Sequence, residues 1–169
     1  MTYFLAKSFR TANAILALAA LLAVPGAAEA QSRSSYLPNP KLTPGATIDA
    51  TKSDLCGPGH ADFANTIPIA LKRKVFDRYG IGGNTPGAFD VDRLIPLGLG
   101  GSNSIKNLWP QPMSGEWNHD MKNKLEQRLH KMVCDGKLDL KAAQQEIATD
   151  WIRAYRKYIG ESGKPRSRN

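Results

Sequence analysis

Apolar residues recur with helical spacing in three segments of the chain, and each segment is predicted to form an amphipathic helix. Their apolar positions are Leu71, Val75, Phe76 and Tyr79 in the first, Met121, Leu125, Leu129, Met132 and Val133 in the second, and Ala143, Ile147, Trp151, Tyr155 and Tyr158 in the third. Thr66 and Asn118 are the expected N-caps of the first two, and the third starts after Asp139. A glycine follows each segment and is expected to end it, at Gly80, Gly136 and Gly160.

Between the first two helices the apolar runs become short and are separated by turn residues. The runs are Phe89 to Asp92, Leu94 to Leu97 and Ile105 to Trp109, and Gly100-Gly101-Ser102-Asn103 is strong turn chemistry. We predict a β-hairpin or ribbon here. The order helix, two strands, helix, helix describes a small α+β domain, which we place at residues 67–160.

The segment before the first helix lacks sustained periodicity. We expect residues 31–66 to form an extended lead-in, rich in Ser, Pro, Gly and Asn as far as Thr51, with a short strand near Ala46 to Ile48. A loop around Cys56 follows, with a turn that ends at His60. Residues 161–169 are polar and basic, and we expect a flexible tail.

Residues 1–30 have the pattern of an export signal. Lys7 and Arg10 precede an apolar run from Ala14 to Val24, and Ala28-Glu29-Ala30 supplies a small-x-small cleavage site. The run is shorter than the ~20 residues of a membrane span. We therefore expect a cleaved signal peptide, an exported protein that is periplasmic or secreted, and no membrane association after cleavage. An uncleaved membrane anchor is the alternative.

Cys56 and Cys134 are the two cysteines of the chain. In an exported protein an even count favours a disulfide, and two unpaired buried thiols are the alternative. Closing so long a loop would stabilise the fold by about 4 kcal/mol through loop-closure entropy. A zinc site is not expected, because neither cysteine has a second ligand at a spacing typical of zinc sites.

The formal net charge is +8. Cleavage of the signal removes Lys7, Arg10 and Glu29, which leaves +7. A basic surface attracts polyanions such as nucleic acid, anionic lipid or acidic glycans, although exported proteins are often basic without such a partner. Charge alone therefore favours nucleic-acid binding only mildly.

Asp92, Asn107, His119 and Asp120 follow one another in an order that suits phosphodiester hydrolysis. That reaction needs a metal ion to neutralise phosphate charge, a base to activate water and a scaffold that holds both. A carboxylate on a hairpin strand and a side chain early in the next helix can coordinate the same metal ion. The alternatives are ordinary roles, with Asp92 in an ion pair with Arg93 or a lysine and His119 solvated in a first helical turn.

The hairpin segment resembles the HNH endonuclease family, whose fold is a β-hairpin and a helix around one metal ion. It is more closely similar to a group of small exported bacterial proteins with an HNH-like core. Their pattern is an acidic residue and histidine, LIPL, a GGS turn, NLWPQP and a lysine-rich helix that ends in VC. This chain has DRLIPLGLGGSNSIKNLWPQP, KNKLEQRLHKMVCDGKLDL and AQQEIATDW, and the resemblance extends from about Lys72 to Tyr158. It implies a ββα-metal core packed with additional helices.

The resemblance also implies a role for each matching residue. Asp92 would bind a divalent metal ion, Mg²⁺ or another first-row cation, and His119 would be the second ligand. Asn107 would hold the hairpin loop and orient the catalytic side chain. The family's general base is the histidine directly after the acidic residue, and this chain has Arg93 there.

An arginine cannot act as that base, because its guanidinium stays protonated at physiological pH. It can hold a phosphate or stabilise charge in the transition state. Three interpretations stay open. The protein is a weakened metal-dependent endonuclease that draws its base from Asp90, His119 or Asp120, an inactive homologue that binds nucleic acid, or an exported protein with an unrelated structural or interaction role.

A basic face on the second predicted helix would contact the phosphates of the nucleic acid, for which we expect DNA, and Arg93 would add to it. The residues of that face are Lys122, Lys124 and Arg128, with Lys131 beyond them. An ordinary solvated helix face is the alternative.

Three tryptophans are expected to pack in the core rather than to stack on bases: Trp109, Trp117 and Trp151. Nothing in the sequence indicates an oligomeric state.

Overall fold

The computed structural model describes residues 37–57, 66–81 and 87–160. Over those ranges the chain forms four helices and a two-stranded antiparallel hairpin, and this confirms the predicted α+β fold. The elements are α1 (Lys52–Cys56), α2 (Ile69–Arg78), β1 (Phe89–Arg93), β2 (Leu108–Pro112), α3 (His119–Cys134) and α4 (Leu140–Tyr158). The predicted signal peptide, the predicted tail at 161–169 and His60 lie outside the described residues.

The ends of the two long helices follow local side-chain chemistry. Asn118 Oδ1 accepts from Met121 N at the start of α3, and Asp139 Oδ1 accepts from Ala142 N at the start of α4. Such bonds satisfy amide groups that have no partner inside the helix. Glycines with positive φ follow α2, α3 and α4 as predicted, at Gly80, Gly136 and Gly160.

Two helix starts differ from the prediction. Thr66 does not cap α2, which begins at Ile69 with Pro68 in the N-cap position and no side-chain cap bond. The short helix α1 replaces part of the expected loop. A reciprocal capping box between Thr51 and Asp54 stabilises its start.

The hairpin pairs Asp92 with Trp109 and Arg93 with Leu108. The second strand lies three residues later than the apolar run predicted, and it contains two prolines. Proline is tolerated because each strand of a two-stranded ribbon is an edge strand, so an amide can be missing on its open side.

The apolar run from Leu94 to Leu97 is not a strand. The chain instead turns through a short 3-10 helix at Leu97–Leu99 and a left-handed Gly100. A Cβ on Gly101 would lie 1.7 Å from the carbonyl oxygen of Ile95, so only glycine fits at that point of the connection.

The lead-in packs onto the hairpin connection. Its predicted strand is reduced to one bridge between Thr47 and Gly101. Thr43 Oγ1 donates to the carbonyl of Leu108 at 2.9 Å, and Gly45 N donates to the carbonyl of Lys106 at 2.9 Å. These bonds tie residues 37–50 to the start of β2.

Two apolar clusters support the hairpin. The larger lies mainly between α3 and α4, and the smaller lies between α2 and the hairpin, around Val75, Val91 and Leu108. The three tryptophans are buried as predicted. Within the described ranges, no helix combines the length and the apolar character that crossing a membrane requires.

The predicted disulfide between Cys56 and Cys134 is present, with their Cα atoms 5.5 Å apart. It joins the last residue of α1 to the last residue of α3.

Candidate active site

Asn107 fastens the hairpin connection from a fully buried position directly before β2. Its Oδ1 accepts from Ile95 N at 2.9 Å and from Ala46 N at 3.4 Å, and its Nδ2 donates to the carbonyls of Ile95 and Ser102, both at 2.9 Å. One amide therefore engages three separate points of the backbone. The Asn107 side chain thus holds the hairpin connection in place, and its role in orienting a catalytic side chain stays a prediction.

Asp92 lies near the end of β1 and faces α3. Its Oδ2 accepts a hydrogen bond from Lys122 Nζ at 2.7 Å, and the Lys122 side chain is fully buried. The same ammonium donates to the carbonyl of Arg93 at 2.6 Å and to Glu126 Oε1. All three protons of the ammonium are thereby used. Asp92 takes the ordinary role that the sequence left open, an ion pair with a lysine.

Glu126 also belongs to this cluster, although it was not among the residues predicted for the site. Burial raises the pKa of Glu126 to about 7, against the opposing charge of Lys122 and with the negative charge of Asp92 adding to the shift. Its side chain is 19 % exposed. Burial lowers the pKa of Lys122, but Asp92 and Glu126 outweigh it and the net pKa is raised. The ammonium is therefore charged at neutral pH.

Arg93 follows Asp92 as the last residue of β1 and is 7 % exposed. Its Nε donates to Asn103 Oδ1 at 2.9 Å. Burial lowers the pKa of its guanidinium, while the charges of Asp92 and Glu126 raise it. Arg93 is thus a second cation beside the same two carboxylates.

His119 is the first residue of α3, one turn before Lys122. Its Nδ1 lies 3.3 Å from Gln111 Oε1, and its Nε2 lies 2.8 Å from Asn123 Nδ2. The tautomer that satisfies both partners donates from Nδ1 and accepts at Nε2. Gln111 Nε2 is buried and has no hydrogen-bond partner within the described part of the chain.

The structure therefore joins Asp92, Arg93 and Lys122 directly and places His119 on the same helix. Over residues 37–57, 66–81 and 87–160, no hydrogen bond links His119 to Asp92. Asp90, two residues before Asp92, turns away from this cluster and pairs with Lys72 at 2.7 Å in a partly exposed ion pair.

Lys122 requires a correction, because the sequence placed it on a solvent-facing phosphate surface. It lies on the inner face of α3 with Leu125 and Leu129, where burial is compensated by its three acceptors. Lys124 and Arg128 are exposed, as that surface requires.

A separate cavity of about 770 Å³ lies between the lead-in, the hairpin and α4. Its wall includes four aromatic side chains, Tyr79, Phe89, Trp109 and Trp151. The residues of the Asp92 cluster do not line it. It is apolar in character and distinct from the candidate site.

His130 lies beside the disulfide, which spacing along the sequence did not lead us to expect. Its Nε2 is 3.4 Å from Cys134 Sγ, one helical turn away on α3. Cys56, His130 and Cys134 have the donor types and the proximity to hold a metal ion, but the two sulfurs are bonded to each other.

Three residues of the site escaped the sequence reasoning: Glu126, Gln111 and Asn103. A signal existed for Glu126, because Lys122 and Glu126 are spaced i,i+4 and share one face of a helix. Gln111 and Asn103 have no comparable signal, since their partners are fixed only by the pairing of the hairpin.

Comparison of the chain with protein-family models, with curated proteins and with solved structures finds no match in any of the three.

Proposed function

We propose that this protein is an exported HNH-like endonuclease that hydrolyses phosphodiester bonds of nucleic acid with a divalent metal ion. The observation that carries the proposal is that three structural features occur together. Asp92 is the penultimate residue of β1, Asn107 fixes the hairpin connection, and α3 is joined to Asp92 through Lys122. The HNH resemblance implies a carboxylate, an amide-held loop and a histidine-bearing helix in this order.

Asp92 and His119 have donor types that suit a divalent ion, a carboxylate oxygen and an imidazole nitrogen. Asp92 retains Oδ1, which makes no hydrogen bond to any described residue. Bound there, a metal ion would neutralise phosphate charge and make its water ligand a stronger acid. Lys122 competes for the same carboxylate, so we expect weak metal affinity.

Arg93 and Gln111 suit the binding of substrate better than the transfer of a proton. A guanidinium donates to phosphate oxygens in a charge-assisted geometry. Gln111 Nε2 is a buried donor without a partner among the described residues, and a phosphate oxygen or an ordered water would satisfy it. Both residues would hold the phosphate against Asp92.

With Arg93 in the base position, water must lose its proton to another acceptor. The Asp90 carboxylate is tied to Lys72 and to Val91 N, and both His119 nitrogens have partners. Asp120 is exposed in the first turn of α3 and is the least engaged of the three candidates. Loss of a placed base typically reduces the rate about 10²–10⁴-fold, so we expect slow turnover.

The nucleic acid would lie along the exposed side of α3. Lys124 and Arg128 are exposed there, and the net charge of +8 attracts a polyanion. We propose DNA as the substrate. Export is part of the proposal, and the Cys56–Cys134 disulfide supports it because such bonds persist in oxidising compartments.

Nucleic-acid binding without hydrolysis is a second candidate function. Two cations at the site favour binding without hydrolysis. Lys122 forms an ion pair with Asp92, and Arg93 occupies the position where a general base would be needed. In that case the fold would keep its phosphate contacts and have no cleavage activity.

The test is plasmid cleavage by the mature protein with a panel of divalent ions. We expect slow nicking that EDTA abolishes and that Asp92→Ala abolishes. Asp77→Ala is the matched control, because it removes the same side chain from an exposed position on α2, outside the Asp92 cluster and the candidate bases. Absence of cleavage with every ion, while DNA is still retained in a binding assay, would replace the first candidate with the second.

A further inference from the structure

We propose that, once the Cys56–Cys134 disulfide is reduced, Cys56, His130 and Cys134 form a binding site for a thiophilic divalent ion. Zn²⁺ suits this donor set of two sulfurs and one imidazole. The inference is independent of the Asp92 cluster and of any activity on nucleic acid.

The three donors already converge. The two sulfurs and a ring nitrogen of His130 lie within 4.8 Å of one another, and His130 Nε2 is 3.4 Å from Cys134 Sγ. In a tetrahedral site with Zn–S of about 2.3 Å and Zn–N of about 2.0 Å, sulfur and nitrogen lie about 3.5 Å apart. The histidine nitrogen therefore already lies at a typical ligand-to-ligand distance from the Cys134 sulfur.

Contacts other than the disulfide hold the donors in place. Leu55, the residue before Cys56, is fully buried, and its carbonyl oxygen lies 3.0 Å from His130 Nε2. Gly98 leaves room for the imidazole, because a Cβ there would lie 3.2 Å from His130 Cγ. We therefore expect α1 to keep Cys56 near α3 after reduction.

The chemistry balances with a dithiol or phosphine as the reductant. Reduction adds two electrons and two protons to the disulfide and yields two thiols. Binding of Zn²⁺ releases both thiol protons, so the charges of the two thiolates and the ion cancel. The sulfurs must move apart to about 3.8 Å. His130 must release the carbonyl of Leu55, and its ring proton must move from Nε2 to Nδ1, before Nε2 can be a ligand. The three residues are partly exposed, which leaves water access to the fourth position.

The test is titration of the phosphine-reduced protein with Co²⁺, followed by competition with Zn²⁺ against a chromophoric chelator. We expect thiolate-to-cobalt charge-transfer absorption in the reduced protein, saturating at one Co²⁺ per chain, and no such absorption in the oxidised protein. His130→Gln should weaken Zn²⁺ affinity at the thiolate site at least ~10-fold. Lys131→Gln is the matched control, because Lys131 is exposed next to His130 on the same helix, and its Zn²⁺ affinity should equal that of the reduced wild type.

If reduction destabilises the fold, thermal unfolding followed by circular dichroism tests the proposal. Zn²⁺ should then raise the Tm of the reduced wild type and leave the Tm of reduced His130→Gln unchanged. The proposal is overturned if the reduced protein shows no thiolate-to-cobalt absorption, if Zn²⁺ leaves its Tm unchanged, or if His130→Gln binds Zn²⁺ as tightly as the wild type.

Discussion

Two carboxylates and two cations share the interior beside the end of β1. Lys122 bridges Asp92 and Glu126, and Arg93 lies close enough for its charge to act on Glu126. Burial is the main reason that Glu126 holds its proton to a higher pH than an exposed glutamate does; the negative charge of Asp92 adds to the raised pKa, and the shared ammonium of Lys122 offsets only part of it. The pKa of Glu126 therefore depends on the charges of the other residues in the cluster.

We predict that Glu126 makes the fold less stable as the pH rises. Its pKa is about 7 in the folded state and 4.5 ordinarily, so the folded state binds the extra proton between these values. The stabilisation is fully present below the ordinary pKa and is lost as the pH rises through about 7. It amounts to at most about 3 kcal/mol. Urea unfolding from about pH 4 to pH 8 measures it.

Glu126→Gln should flatten this dependence, because glutamine does not titrate. Asp120→Asn, on the exposed side of the same helix, should leave it intact. Parallel curves for the wild type and Glu126→Gln would contradict the raised pKa of Glu126.

Asn107→Ala should reduce the free energy of unfolding by about 3–5 kcal/mol. The substitution removes the bonds to Ile95, Ser102 and Ala46 and leaves buried backbone groups without partners. Equilibrium unfolding in urea measures the loss. Lys106→Ala, at the exposed neighbouring position, should change stability by less than about 0.5 kcal/mol. A loss below about 1 kcal/mol for Asn107→Ala would show that the loop holds its shape without the amide.

Individual roles could be predicted only where the resemblance or a local motif carried them. Asn107 was expected to hold the hairpin loop, and its four side-chain bonds suit that role. Lys122 was misplaced, because a lysine is ordinarily solvent-facing and two of its three acceptors lie on a strand 30 and 29 residues away. Lys122 is buried because β1 packs against α3, and a local sequence pattern does not predict such a tertiary contact.

At the scale of elements, α1 depends on the disulfide more than the other helices do. It has five residues, whereas an isolated helix needs about 12–15 to be marginally stable in water. Its anchors are the buried Leu55 and the bond from Cys56 to Cys134.

The double substitution Cys56→Ser and Cys134→Ser should reduce the free energy of unfolding by about 4 kcal/mol, because the closed loop spans 78 residues. Denaturant unfolding of the double variant and of the reduced wild type, both without metal, measures it. The two should lose similar amounts. A reduced wild type as stable as the oxidised protein would contradict this account of the bridge.

The long helices were predicted well, because their apolar periodicity and their capping residues are both local features of the sequence. Asn118 and Gly136 mark the ends of α3 in the sequence and in the structure. The strand boundaries were predicted less well, since Pro110 and Pro112 argue against a strand unless its edge position is known. The short α1 was missed, because five residues are too few for periodicity to appear.

At the scale of the whole molecule, the charge of +8 and the exposed cations of α3 predict DNA binding that weakens with salt. Lys124→Ala with Arg128→Ala should lower affinity and reduce the slope of log K against log salt by about 1–2. Lys137→Ala with Lys141→Ala is the matched control, because both lysines are exposed and lie outside α3. Fluorescence anisotropy at several salt concentrations measures both. Binding that does not respond to salt would contradict phosphate contact.

We propose that the chain has an HNH-like site in which Arg93 occupies the place of the general base. Plasmid cleavage by Arg93→His, compared with the wild type at equal metal concentration and after circular dichroism has shown both to be folded, tests it most directly. The account predicts that the histidine raises the cleavage rate by about 10²-fold or more, and that EDTA abolishes the gain. A folded Arg93→His variant that cleaves no faster than the wild type with any divalent ion would contradict it.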